Sequence, residues 1–338
     1  MTEELEPRAT AGNKTATDET KKAAPTEKEQ FSIKRFPYTP VLGWSVSRYD
    51  KFKTCKRQYY YDYYGKHDTE FTRKEIYKLK DLTSVPLEIG SIVHDVIRVL
   101  LNRLKKTAKA IDRDRFFDYA KRTATNYCQK KKFAEVYYKE TETVDAADVY
   151  TSVEGCLKNF LDNERYRWIF TEAVPKIDRW IIEPPGYGEA RINNLKVYCK
   201  VDFLFPVGDT IYILDWKTGK PHAEKHRNQL LGYAAWASYH FDHDPAMIVP
   251  IIAYLQPVYK ETVTEFNEFD IEEFSLQIEE QTLEMQNFCE DVEENIPKEK
   301  SEFPKTKIKR ICDYCNYREL CSKPEVAVDD ENRLPMSY

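Results

Sequence analysis

Two aspartates and one lysine stand in apolar surroundings in the middle of the chain. Asp202 lies within the run 201–205, and Asp215 ends the run 211–215, two residues before Lys217. Residues two apart in a β-strand point to the same face, so Asp215 and Lys217 should project together, and the short turn between the runs should bring Asp202 beside them. Two carboxylates and an amine on one sheet face are costly to bury without an ion or a substrate.

This trio predicts a metal-dependent hydrolytic site. A divalent cation held by Asp202 and Asp215 would polarise a phosphate and lower the pKa of a bound water. Lys217 could then orient or deprotonate that water and stabilise the developing charge. An ordinary surface salt bridge between Asp215 and Lys217 is the alternative, and it is the better interpretation of an isolated Asp-x-Lys. The apolar flanks weaken that alternative, because they place the carboxylates at the edge of the core.

Further polar side chains lie on predicted helices around this hairpin. His94 lies on the apolar face of its helix, where a histidine is often a hydrogen-bonded core residue. A cation held by two carboxylates needs a third ligand, however, and this favours metal ligation by a neutral imidazole of His94. Gln229 and Tyr233 share one face of another helix, from which they could bind a substrate phosphate or orient Lys217. The alternative is an amphipathic helix whose polar stripe meets solvent. The oxygen-rich ligands favour Mg²⁺ or Mn²⁺.

Three of the eight cysteines form a C-x2-C-x5-C cluster, namely Cys312, Cys315 and Cys321. In a chain without a disulfide framework such a cluster is typical of a metal site. Thiolates bind both zinc and iron–sulfur clusters, so the spacing leaves the metal open, and either metal would need a fourth ligand.

Apolar periodicity predicts the elements that must hold these residues. Predicted helices run from Ser45 or Ser47 to Tyr59, from Gly90 to Leu104, over about 114–136, 146–169 and 222–241, and from Asp270 to about Asn295. Predicted strands cover 176–183, 189–192, 196–205, 210–217, 247–256 and 258–266. This order predicts an α/β fold with a mixed sheet flanked by helices, a helical insertion over 98–170 and a C-terminal cysteine-cluster segment.

Composition is typical of a cytosolic protein. Residues 1–38 lack an apolar pattern and are predicted to be a disordered tail without a secretory signal. No apolar run reaches the roughly 18 residues of a membrane span. The net charge of −5 conceals a segregation, since residues 261–300 hold fourteen acidic and two basic side chains and the remainder carries +7. A basic surface suits phosphate binding, although both charged stretches could also be solvated helix faces.

Taken together, the motifs resemble the RecB-like branch of the PD-(D/E)XK nucleases over roughly residues 45–321. Val-Asp202-Phe-Leu and Leu-Asp215-Trp-Lys217-Thr-Gly look like its second and third motifs. The segment Gly90-Ser-Ile-Val-His94 is similar to its G-x-x-x-H motif, and Gln229-Leu-Leu-Gly-Tyr233 is similar to its Q-x-x-x-Y motif. The cysteine cluster, together with Cys55, resembles the iron–sulfur staple of AddB-type and CRISPR-adaptation nucleases.

The resemblance implies a restriction-endonuclease-like fold and a Mg²⁺- or Mn²⁺-dependent deoxyribonuclease. It implies catalysis by Asp202, Asp215 and Lys217, metal ligation by His94, Asp202 and Asp215, and DNA binding by Gln229 and Tyr233. It also implies that Cys55, Cys312, Cys315 and Cys321 hold a [4Fe–4S] cluster in preference to zinc. The chain would then divide into a tail 1–38, a nuclease core 39–300, an iron–sulfur segment 301–323 that closes on Cys55, and a C-terminal tail 324–338.

Two functions fit these patterns. The first is an exonuclease that acts on DNA ends or single strands, in a cytoplasmic protein of bacterial, archaeal or phage origin with a role such as DNA repair. The second is a catalytically silent DNA-binding or scaffold subunit of a repair or recombination complex. The presence of His94, Asp202, Asp215 and Lys217 together favours the first. The sequence shows no helicase P-loop, so unwinding would come from a helicase or recombination partner.

Overall fold

The computed structural model describes residues 32–107, 109–184 and 189–322. Residues 1–31 of the predicted N-terminal tail and the whole predicted C-terminal tail 324–338 lie outside the described residues. Residues 32–38 have no regular secondary structure, but the Lys34 amide donates to Nε2 of His240 at 3.0 Å, and Ile33 packs against the core. Contacts with the core therefore start within the predicted tail 1–38.

The helices of the described residues alternate with short strands in the first half of the chain. The α-helices are α1 (Val46–Thr54), α2 (Lys56–Tyr64), α3 (Arg73–Lys80), α4 (Val85–Leu104), α5 (Arg113–Lys130), α6 (Ala134–Tyr137), α7 (Ala146–Asp162), α8 (Glu164–Trp168), α9 (Ala223–Phe241), α10 (Glu268–Gln286), α11 (Lys309–Asp313) and α12 (Arg318–Ser322). The strands are β1 (Leu82–Thr83), β2 (Lys132–Phe133), β3 (Ile181–Ile182), β4 (Glu189–Ile192), β5 (Leu195–Tyr198), β6 (Phe203–Val207), β7 (Thr210–Lys217), β8 (Ile248–Tyr254), β9 (Lys260–Val263), β10 (Cys289–Asp291) and β11 (Ile296–Pro297).

The central sheet has five strands in the order β3-β6-β7-β8-β9. The pair β7 and β8 is parallel, and the other neighbours are antiparallel. Helix α9 forms the crossover between β7 and β8, as a parallel pair requires. The predicted mixed sheet flanked by helices, with a restriction-endonuclease-like arrangement, is confirmed.

Each face of the sheet packs against a different set of helices. Ile211 and Ile213 of β7 belong to one core with α1, α2, α3, α9 and α10. Leu214 and Trp216 belong to a second core with α4, α5 and α7. Because side chains alternate along a strand, the series that starts with Ile211 and Ile213 continues through Asp215 to Lys217 on the α9 side.

Several predicted elements have different bounds in the structure. The predicted strand 196–205 divides into β5, which pairs with β4, and β6, which pairs with β7. The predicted first helix is interrupted at Cys55, whose backbone is extended with φ −159° and ψ 109°. The predicted acidic helix ends at Gln286, because Cys289 pairs with Pro297 in the hairpin that follows.

The helix that carries His94 starts earlier than predicted. It begins at Val85 with Pro86 in its first turn, a position where the missing N–H of proline has no helical partner to lose. Gly90 therefore lies inside α4. In the part of the chain that the structure describes, no helix is long and apolar enough to cross a membrane.

Candidate active site

The two aspartates and the lysine meet at the carboxyl end of β7. Asp215 and Lys217 share one face of the strand, and Nζ of Lys217 lies 2.5 Å from Oδ2 of Asp215. Asp202 immediately precedes β6, and its Oδ2 accepts the Trp216 N–H at 2.9 Å. Asp215 is only 2% exposed, so its pairing with Lys217 is not the surface salt bridge that was the alternative interpretation.

His94 reaches this group from α4 on the other side of the sheet. Its Nδ1 lies 3.2 Å from Oδ1 of Asp202, and its Nε2 lies 2.8 Å from the carbonyl oxygen of Trp216. An acceptor at each ring nitrogen favours the doubly protonated imidazolium. Burial alone would lower the pKa of His94, but the charge and hydrogen bond of Asp202 outweigh it and raise the pKa to about 9. A cation at this position would compete with the proton on Nδ1.

Gln229 and Tyr233 approach from α9 and bind Asp215. The Tyr233 hydroxyl donates to Oδ1 of Asp215 at 2.5 Å, and Nε2 of Gln229 donates to the same oxygen at 3.0 Å. Nε2 of Gln229 also donates to the Tyr233 hydroxyl at 2.6 Å. The shared polar face of α9 therefore turns inward to a carboxylate, and in the structure these residues orient Asp215.

The two carboxylates have opposite pKa shifts. Burial and the charge of Asp202 raise the pKa of Asp215, against the opposing effects of Lys217 and Tyr233. Burial would also raise the pKa of Asp202, but the charge and hydrogen bond of His94 and the Trp216 amide outweigh it and lower the pKa. Neighbouring carboxylates whose pKa values are shifted in opposite directions are common in hydrolytic sites.

Glu183 joins this group although the sequence motifs do not point to it. Ligand atoms of His94, Glu183 and Asp202 all lie within 4.8 Å of one another, and Asp215 is not part of that group. Glu183 ends the apolar run 180–182 in the same way that Asp215 ends its own run. The sequence therefore placed Glu183 at the end of the predicted strand 176–183, but it did not indicate that this strand pairs with β6 next to Asp202.

A family model described as the PD-(D/E)XK nuclease superfamily matches residues 43–322. The chain belongs to the PD-(D/E)XK nuclease superfamily. The described residues of this superfamily member include an imidazole and carboxylates in a group that could hold a cation, which fits the divalent metals that PD-(D/E)XK nucleases use. The match does not distinguish the branches of the superfamily.

Solved structures similar to this superfamily member are distant. A crystal structure of SSO0001 is 16% identical, covers 59% of this chain and 80% of its own, and has a TM-score of 0.29. A protein of Eubacterium rectale named "Putative exonuclease" is 11% identical, covers 72% of this chain and 81% of its own, and has a TM-score of 0.40. Neither likeness is close enough to bear on the site. No curated protein matches the chain.

Two cavities flank the carboxylates of this nuclease-superfamily site. One has a volume of about 410 Å³ and is lined by residues that include Tyr198, Lys217 and Gln229. The other has a volume of about 500 Å³ and is lined by residues that include Arg98 and the His94–Glu183–Asp202 group. Lys200 lines both. The site is thus bordered by one cavity at Lys217 and Gln229 and by a second cavity at His94 and Asp202.

The four predicted cysteine ligands line a separate cavity of about 260 Å³, together with Lys305 and Arg318; they are Cys55, Cys312, Cys315 and Cys321. Burial, together with smaller effects of the charges of Cys321 and Cys55, raises the pKa of Cys315 to about 12. No three of the four sulfurs all lie within 4.8 Å of one another. Tetrahedral zinc with bonds of about 2.3 Å would need sulfurs about 3.8 Å apart.

Proposed function

We propose that this protein is a Mg²⁺- or Mn²⁺-dependent deoxyribonuclease that hydrolyses phosphodiester bonds as an exonuclease on DNA ends or single strands. The observation that carries the proposal is the cluster at the end of β7, in which Lys217 pairs with the buried Asp215, and His94 pairs with Asp202, whose carboxylate also accepts the Trp216 N–H. Membership of a nuclease superfamily supports the same reaction class.

Each residue of the cluster would have a separate role in this reaction. His94 and Asp202, with Asp215 beside them, would hold the divalent cation, which when bound polarises the phosphate and lowers the pKa of a coordinated water. Lys217 keeps its ammonium beside Asp215, where it can orient the attacking water and balance the charge that develops on the phosphate. Tyr233 and Gln229 hold the Asp215 carboxylate in one orientation through two hydrogen bonds.

Single strands and frayed ends are the favoured substrates because the flanking spaces are small. Cavities of about 410 and 500 Å³ have the size of small-molecule sites, and single unpaired nucleotides would fit in them. Lys200, Lys217 and Arg98 would bind phosphates on either side of the scissile bond. The Tyr198 ring at the edge of the first cavity offers a stacking surface for an unpaired base.

We also propose that Cys55, Cys312, Cys315 and Cys321 bind a [4Fe–4S] cluster, as in the RecB-like branch that the motifs resemble. The four side chains line one cavity of about 260 Å³, so they could share one cofactor. The preference for a cluster over zinc rests on the resemblance. The role would be structural, since the cysteines tie the C-terminal segment to the junction of α1 and α2.

The test is digestion of single-stranded and double-stranded DNA labelled at either end, with Mg²⁺ and with Mn²⁺. The protein is purified without oxygen, and iron, sulfide and zinc are measured on the same sample. Asp215→Ala and Lys217→Ala should each abolish cleavage, whereas Asp209→Ala, in the turn of the same hairpin, should cleave like the wild type. Mononucleotide release from one labelled end indicates an exonuclease.

Three results would overturn parts of the proposal. Cleavage that survives both active-site substitutions would rule out this site. Tight DNA binding without cleavage in either metal would favour the catalytically silent DNA-binding subunit. A colourless protein with one bound zinc would exclude the iron–sulfur cluster and leave the nuclease proposal intact. DNA is the partner that the site implies, and a helicase or recombination protein would supply any unwinding.

A further inference from the structure

Helix α10 has a second row of apolar side chains on its outer side. Three large apolar residues stand seven residues apart, and Phe269 is 71% exposed, Leu276 64% and Leu283 56%. Seven residues make almost two helical turns, so these side chains follow one another in a line over about 21 Å of the helix. A single exposed apolar residue is ordinary on a protein surface, but an aligned row of three is typical of a surface that packs against another element.

The row lies opposite the face that α10 buries against its own fold. The buried residues of α10 include Ile271, Phe274 and Ile278, and these belong to the core that α10 shares with α9 and α1. At 3.6 residues per turn, their positions lie about half a turn away from the row. Within the residues that the structure describes, the row therefore faces solvent.

Negative charge lines the row on both sides. Exposed glutamates follow Phe269 and Leu276 at three and at four residues, one series on each side of the row; they are Glu272, Glu273, Glu279 and Glu280. Helix α10 holds seven acidic residues and no basic one. Its ion pairs to the described residues are made by Asp270 and Glu284, so the four glutamates beside the row keep their charge uncompensated.

This charge distinguishes between the surfaces that could cover the row. A second copy of the chain would bring the same acidic helix, and a nucleic acid or an anionic membrane would bring phosphates, so each would be repelled. A straight row with a period of seven fits a helix that lies along α10 at a small crossing angle, since such a helix returns to the line of contact every seven residues. Lysine or arginine beside the apolar residues of that helix would face the glutamates.

We propose that the outer face of α10 is a docking surface for a basic amphipathic helix of a partner protein. The partner's apolar side chains pack on Phe269, Leu276 and Leu283, and its lysine and arginine side chains pair with the flanking glutamates. The apolar row supplies most of the affinity, and the glutamates select a basic partner and speed its association. The inference does not depend on the proposed nuclease function, because the cavities beside β7 are lined by residues of other elements.

The experiment is calorimetric titration of the full-length protein with three synthetic helical peptides of about four heptads each. The first peptide has leucine at positions a and d and lysine at e and g. The second has glutamate at e and g, and the third keeps the lysines but has glutamine at a and d. The first peptide should bind one-to-one and the other two should not bind. Failure of the first peptide to bind, or equal binding of the third, would overturn the proposal.

Substitutions on the protein locate the bound peptide. Leu276→Gln removes the centre of the row and should weaken binding of the first peptide by at least about tenfold, with an unchanged melting temperature. The double variant Glu273→Gln/Glu280→Gln should bind more weakly and with less dependence on salt. Val258→Gln, which changes an apolar residue that is 67% exposed outside α10, should bind like the wild type. Unchanged affinity in Leu276→Gln, or an equal loss in Val258→Gln, would show that the peptide binds elsewhere and that the inference is wrong.

Two further measurements address the other occupants of the row. If sedimentation equilibrium shows a wild-type dimer that Leu276→Gln converts to a monomer, the row pairs with a second copy of the chain. If the wild type binds vesicles of phosphatidylcholine and phosphatidylserine and Leu276→Gln does not, the row binds a membrane surface. Either result would replace the basic helix as the occupant.

Discussion

Tyr233 makes the shortest hydrogen bond to the buried Asp215 carboxylate, at 2.5 Å. Burial and the charges of Asp215 and Asp202 raise the pKa of Tyr233 well above its ordinary value, so the phenol remains a donor at neutral pH. Tyr233→Phe should cost about 2 kcal/mol of unfolding free energy, because a hydrogen bond to a charged group is lost in the interior. Urea denaturation measures this loss.

Tyr239→Phe is the matched control for that change. Tyr239 lies on the same helix, α9, but is 42% exposed. Loss of the Tyr239 hydroxyl should change the free energy of unfolding by less than about 0.5 kcal/mol. Equal effects of the two substitutions would show that the Tyr233–Asp215 hydrogen bond does not stabilise the fold.

At the scale of single residues, the sequence predicted which polar residues lie together. It did not predict the individual contacts of each residue. Asp202, Asp215 and Lys217 could be grouped because strand alternation and a short hairpin turn determine their positions. The partner of Tyr233 could not be predicted, because helical spacing gives the face of α9 but not the strand under it. Glu183 was missed although it ends the predicted strand 176–183, because the local pattern does not indicate that β3 pairs with β6 next to Asp202.

Among the secondary-structure elements, a partly buried ion pair connects α8 to the edge strand β9. Arg165 donates two hydrogen bonds to Glu261, at 2.9 and 2.8 Å, and the Tyr259 hydroxyl donates a third. Burial would raise the pKa of Glu261, but these hydrogen bonds and the charge of Arg165 outweigh it and lower the pKa. The carboxylate therefore stabilises the fold in its ionised form.

This lowered pKa predicts how the stability depends on pH. Above the unfolded-state pKa of about 4.3, Glu261→Gln should be less stable than the wild type by about 1.5 kcal/mol. As the pH falls through the lower folded-state pKa, the wild type loses this contribution and the difference should shrink. Thermal or urea unfolding of both proteins from pH 7 to pH 3 measures it. Glu265→Gln, an exposed neighbour, should show no such convergence.

The break between α1 and α2 at Cys55 leads to a prediction about metal content and stability. Cys55 separates α1 from α2 and faces the cavity that Cys312, Cys315 and Cys321 line. If a cluster connects these residues, Cys55→Ser should lose bound iron and sulfide and should destabilise the fold by on the order of 4 kcal/mol, because a very long loop is no longer closed. Metal analysis and melting temperature test this.

Cys128→Ser provides the comparison, since Cys128 does not line that cavity. It should keep the metal content of the wild type. Iron retained in full by Cys55→Ser would remove Cys55 from the ligand set.

Element bounds were predictable where apolar periodicity is long and unbroken. Helix α9 and strand β7 lie close to their predicted ranges, 222–241 and 210–217. The strand predicted over 196–205 was too long, because alternation continues across the break between β5 and β6 although the two halves pair with different strands. The alternation of apolar residues does not show that the pairing strand changes between β5 and β6.

Across the whole molecule, the acidic side chains of α10 lie on a different element from the cationic side chains that line the site. Glu272, Glu273, Glu279 and Glu280 are exposed on α10, which packs against α9 and α1. Arg98 and Lys200 line the cavity beside His94 and Asp202. An acidic outer helix repels the DNA backbone, so the charge distribution favours approach of phosphates from the side of α4.

Removing the two cationic side chains of that cavity tests whether DNA approaches from the α4 side. Each phosphate contact by a cation releases counterions, so the slope of log affinity against log salt scales with the number of contacts. The double variant Arg98→Gln/Lys200→Gln should bind single-stranded DNA more weakly and reduce the steepness of that slope by about 1.4. Lys158→Gln should leave the slope unchanged, since Lys158 pairs with Glu154 on α7 and lines neither cavity of the site. Fluorescence anisotropy at several salt concentrations measures the slopes. An unaltered slope in the double variant would mean that the strand reaches Asp202 by another path, because two phosphate contacts cannot be lost without a change in counterion release.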